Sequence, residues 1–71
     1  MQQKPTKTAR ELARMVADRI GVPATMVSVN KAEGVGWEPV IYAKPADAQV
    51  YQRQAELAAT ELRLRYDLKE E

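Results

Sequence analysis

The sequence predicts a small α+β domain of α-β-β-α order, and three observations lead there. A capping-box pair opens a stripe of apolar residues at helical spacing near the N-terminus. Two extended, alternating segments then flank a polar turn that contains glycines. After Pro45, about twenty residues follow without another proline or a glycine, long enough for a second helix to complete a core.

Residues 1–7 are polar and include Pro5, which bars an earlier helix start, so they are expected to form a disordered tail. Thr8 followed by Glu11 is the capping-box spacing, in which hydroxyl and carboxylate each satisfy an exposed amide. The first helix is placed at 8–20. Ala9, Leu12, Ala13, Val16, Ala17 and Ile20 recur at intervals of three and four, with Arg10, Arg14, Asp18 and Arg19 off the centre of that stripe. The alanines allow close approach but bury little area. Leu12, Val16 and Ile20 therefore carry most of the packing, each about 1.5–3 kcal/mol if fully buried. Gly21 is a natural C-terminal cap and Pro23 prevents continuation.

Residues 25–30 alternate, with Thr25, Val27 and Val29 on one face and Met26, Ser28 and Asn30 on the other, which reads as a strand. The polar stretch 31–36 contains Gly34 and Gly36 and serves as a hairpin connection. A second strand at 37–43 sets Trp37, Pro39, Ile41 and Ala43 against Glu38, Val40, Tyr42 and Lys44. Pro39 cannot donate a ladder bond, so this strand is an edge or turns its proline away from its neighbour. Trp37, the largest apolar side chain, is assigned to the core.

The second helix is placed at 47–68, with Asp47 as its cap. Its apolar residues fall on two rows. Tyr51, Ala55, Ala58, Leu62 and Tyr66 form one, suited to covering the hairpin; Val50, Leu57 and Leu64 form another at intervals of seven, continued by Leu68. A hairpin apolar on both faces, with two helices to cover it, leaves surface for a partner.

Composition removes several functions. The 71 residues contain neither cysteine nor histidine, which excludes a disulfide framework, a thiol nucleophile, a Cys/His zinc site and an imidazole base. No carboxylate pair is visibly set at a reacting centre, and Gly34-Val35-Gly36 lacks the third glycine and the strand-turn-helix order of a dinucleotide fingerprint. The chain is therefore read as non-enzymatic, with no cofactor and no metal. No run is apolar enough to span a membrane and no secretion signal is visible, so a cytoplasmic location is expected. The net charge of +1 is unevenly spread, with +4 over residues 1–31 (six basic, two acidic) and −3 over residues 32–71 (five basic, eight acidic).

The segment from Gly21 to Lys44, "GVPATMVSVNKAEGVGWEPVIYAK", resembles the first part of the accessory gas-vesicle proteins of the GvpO family. That family sets an N-terminal helix before a V-x-V-like strand, a polar glycine-containing turn, and a Gly-Trp pair that opens a second apolar strand. The matching positions are Val27, Val29, Gly36, Trp37, Val40 and Tyr42. The family then continues with further β structure and a basic aromatic ending, whereas 47–68 here is helical in pattern. The resemblance implies a non-catalytic protein that binds other structural proteins during gas-vesicle assembly.

From the residues themselves, the leading functional expectation is a small protein-interaction or structural accessory protein. It would pair with itself or with another protein through Val50, Leu57, Leu64 and Leu68, with Tyr42 and Tyr51 at the junction of hairpin and helix. The competing expectation is a nucleic-acid-binding module that uses the basic face of the first helix through Lys7, Arg10, Arg14 and Arg19. A small-ligand cleft beside Trp37 and Tyr42 is a third.

Overall fold

The computed structural model describes residues 4–69. Its elements run β1 (Thr6–Lys7), α1 (Ala9–Ile20), a 3₁₀ turn (Ala24–Met26), β2 (Val27–Ala32), β3 (Gly36–Ile41), α2 (Pro45–Arg63) and β4 (Asp67–Leu68). The α-β-β-α order is as expected, and a short parallel β1–β4 pair adds a strand at each end.

Local chemistry accounts for α1. The Thr8 hydroxyl accepts from the Glu11 amide at 3.1 Å, and the Glu11 carboxylate accepts from the Thr8 amide at 3.1 Å. At the other end Gly21 adopts φ 76°, a left-handed conformation that a side chain would penalise. The amides of Gly21 and Val22 there share the Ala17 carbonyl. Leu12, Ala13, Val16 and Ala17 are buried.

The first strand lies further along the chain than expected and the hairpin loop is shorter. Pro23 seeds a 3₁₀ turn in which its carbonyl accepts from the Met26 amide at 3.0 Å, drawing Thr25 and Met26 out of the expected strand at 25–30. Pairing instead extends to Ala32 opposite Gly36, so Lys31 faces Trp37 and only residues 33–35 form the loop. Gly34 and Gly36, at φ 85° and 95°, make that loop possible. The second strand ends at Ile41 rather than at 43.

Helix α2 begins at Pro45, two residues before the expected start, and Asp47 is not its cap. Proline at the first helical position has its φ already set and lacks an amide that would be orphaned anyway. Asp47 sits within the first turn, where a carboxylate faces the positive end of the helix dipole. The helix stops at Arg63 and not at Leu68 because its end is taken over by distant groups. The Arg63 carbonyl accepts from Lys4 Nζ at 3.0 Å, and the Tyr66 carbonyl accepts from Trp37 Nε1 at 3.3 Å. The Asp67 amide then donates to the Pro5 carbonyl and the Lys69 amide to that of Lys7. Part of the expected disordered tail is thus ordered: Thr6 and Lys7 pair with Asp67 and Leu68. Residues 1–3 of that tail lie outside the described residues.

Both helices cover one face of the hairpin, α1 over β2 and α2 over β3, and they also touch each other. The core between them holds Leu12, Val16, Val27, Val29, Trp37, Ile41 and Leu62, with Ala55 and Ala59 admitting α2 close to the sheet. Trp37 is buried. The opposite hairpin face, with Ser28, Asn30, Glu38, Val40 and Tyr42, carries no helix, and its residues are exposed or half-buried.

Candidate interaction surfaces

The two rows of α2 separate as the 3.6-residue period dictates. Ala55, Ala58, Ala59 and Leu62 are buried, whereas Val50, Leu57 and Leu64 are 57%, 70% and 75% exposed. The three lie on one side of the helix because a seven-residue step is close to two turns. Tyr42 is 60% exposed on the uncovered hairpin face. Tyr51 and Leu68, expected on the same association surface, are instead partly buried and pack against the core. For Leu68 the reason is the early helix end, which moves it from a helical row into β4.

The hairpin has two edges of different character, and hydrogen-bond parity decides which backbone groups face outward. The Tyr42 amide donates to the Met26 carbonyl, so in this antiparallel ladder the bonded pairs continue at Ser28–Val40 and Asn30–Glu38. Trp37, Pro39 and Ile41 therefore turn their peptide groups away from β2. Side chains of α2 meet them there. The Gln52 carboxamide accepts from the Ile41 amide at 3.1 Å and donates to the Pro39 carbonyl at 3.0 Å, standing in for one peptide unit of a further strand. Arg63 Nε donates to the Trp37 carbonyl at 2.7 Å, and its guanidinium lies 5.4 Å from the Trp37 ring centroid. Pro39 sits where a donor would have found no ladder partner. The β3 edge is sealed by α2.

On β2 the same parity turns Val27 and Val29 outward. The Val27 amide is used by the Ala24 carbonyl, which leaves the Val27 carbonyl and both peptide groups of Val29 facing the free edge. That edge forms one wall of a groove whose other wall is α1, through Ala9, Arg10, Ala13 and Arg14.

Of the four basic residues proposed for nucleic acid, Lys7, Arg10 and Arg14 line one surface hollow together with Glu11, and Arg19 lies apart from them. Arg10 and Arg14 are exposed on α1, and neither has an ion-pair partner among the described residues. Lys7 is half-buried in β1 with its ammonium over the Tyr66 ring, 5.4 Å from the centroid. Arg19 is engaged elsewhere, bridging α1 to α2 through Glu61 at 2.7 Å. Hydrogen bonding and charge attraction from Arg19 hold the Glu61 carboxyl below its ordinary value. Glu11 is also lowered, chiefly by the Thr8 amide and then by its hydroxyl.

Neither Gln52 nor Arg63 was a sequence-level candidate, because both act on backbone groups that carry no residue signature; Pro39 in a strand was the only hint. Among the described residues no three acidic side chains gather where a metal ion could sit, and no helix is long and apolar enough to cross a membrane. Comparison with protein-family models, curated proteins and solved structures finds no match to this chain.

Proposed function

We propose that this chain is a small non-enzymatic protein-interaction module that associates through the outer face of α2, pairing with a second copy of itself. The observation that carries this is the row Val50, Leu57 and Leu64, apolar at every seventh position and left in water by a helix whose other face is fully used. Burying what remains exposed of three such side chains from each copy contributes on the order of 6–12 kcal/mol. Association costs about 4–15 kcal/mol, so weak, concentration-dependent pairing is the expected regime. The resemblance of residues 21–44 to the GvpO family would make a gas-vesicle component a further partner, but the pairing of α2 does not depend on it.

Single-cysteine variants test this cleanly because the chain contains no cysteine of its own. In a pair of antiparallel helices centred on the middle of the row, position 57 meets its own copy. Oxidised Leu57→Cys is expected to form a disulfide-linked dimer faster than Glu33→Cys, which places the thiol on the hairpin loop. Equal rates at the two positions would remove the proposal.

A further inference from the structure

We infer that the free edge of β2 is a docking groove for an extended acidic peptide, which adds to the hairpin as a third strand. Three observations converge on this surface, none of which involves the outer face of α2. The two sheet edges are treated oppositely: Gln52 and Arg63 occupy the outward backbone groups of β3, while those of Val29 and the Val27 carbonyl face open groove. Outward amides and carbonyls at a strand edge are what an added strand pairs with, and residues on alternate sides of that strand then meet the flanking walls.

The groove is also single-signed. Among the described residues, the charged ones that line it are Arg10, Arg14, Lys31 and Lys69, all basic. Arg10 and Arg14 lie one helical turn apart, about 6 Å along the axis. Same-face residues of a strand repeat at about 6.7 Å, so carboxylates at alternate positions of a bound peptide match this pair. Between the arginines and the strand edge, Ala9 and Ala13 present only small side chains, which leaves room for the peptide backbone. A second copy adding through its own β2 would instead bring Arg10 and Arg14 against their counterparts, so like charge disfavours self-pairing at this edge.

The test titrates the full chain into a short fluorescent peptide of alternating glutamate and valine, followed by polarisation and by amide spectra of the protein. It is run on the wild type and on Leu57→Glu, so that loss of α2 pairing and loss of peptide binding are read separately. Expected are saturable binding to both proteins, a shifted and exchange-protected Val29 amide, and weakening by roughly tenfold in Arg10→Glu/Arg14→Glu. Both arginines are exposed, and the fold of that double variant is checked by circular dichroism. A second control leaves the protein untouched: methylating the backbone nitrogens of the peptide removes its donors whichever way the added strand runs and should abolish binding. Equal binding of the N-methylated peptide, an unchanged Val29 amide, or tighter binding of a single-stranded oligonucleotide of equal charge would each overturn the inference.

Discussion

Replacing Gln52 by alanine removes two hydrogen bonds to the β3 edge at once, those from the Ile41 amide and to the Pro39 carbonyl. Each such bond contributes about 0.5–1.5 kcal/mol net, so the pair is worth about 1–3 kcal/mol. Both backbone groups belong to residues that are largely buried, but they lie at an edge where water can partly replace the carboxamide, which favours the lower half of that range. Alanine also returns a few tenths of a kcal/mol through its better helix propensity. A net loss of about 1–2 kcal/mol is expected, which in a domain of this size lowers Tm by roughly 4–16 °C. Urea unfolding followed by circular dichroism measures it. Gln52→Glu keeps an acceptor for the Ile41 amide but sets an anionic oxygen against the Pro39 carbonyl and beside Glu56, to which Gln52 now donates at 3.2 Å, so it should be no better than alanine. Unfolding free energies of Gln52→Ala within 0.3 kcal/mol of wild type would show that α2 does not hold the β3 edge through this side chain, a difference below about 0.5 kcal/mol being what a neutral surface change gives.

Two further outcomes follow from the core and from two carboxylates, one in the α1 cap and one in the bridge between the helices. Leu12 is fully enclosed between α1 and the hairpin, and Leu12→Ala should cost about 2–5 kcal/mol, a large share of the stability available to so short a chain; thermal denaturation would show a markedly lowered or absent transition. Glu11 and Glu61 have carboxyls held below their ordinary value near 4.5, so their stabilisation is complete above that pH and is lost as pH falls through the lowered folded values. A Glu11→Gln/Glu61→Gln variant should therefore show a shallower fall of Tm on acidification below pH 4.5 than the wild type, and an identical profile would contradict the assignment.

What could be read from the sequence is what local chemistry decides. Thr8, Glu11, Gly21 and Pro23 act within a few residues of themselves, so α1 is visible in the chain before folding. Helical periodicity likewise sorts Ala55, Ala58 and Leu62 from Val50, Leu57 and Leu64 without knowledge of what lies beneath. The end of α2 could not be read that way, because nothing between Arg63 and Leu68 breaks a helix. It stops because Lys4, Pro5, Lys7 and Trp37, all distant in sequence, claim its terminal backbone groups. The same applies to the candidate surfaces: the exposed row is a local pattern, but the difference between a sealed β3 edge and an open β2 edge depends on where Gln52 and Arg63 arrive in space. Arg10 and Arg19 look equivalent in the chain, yet among the described residues only the second meets a carboxylate.

Pairing through the outer face of α2 is tested most directly by sedimentation equilibrium of the wild type and of Leu57→Glu over concentrations from micromolar to millimolar. Self-association there predicts a wild-type mass that rises from the 8.0 kDa of one chain toward twice that value, while Leu57→Glu stays at one chain throughout. A wild type that remains at 8.0 kDa at every concentration, or a Leu57→Glu variant that associates equally well, would contradict it.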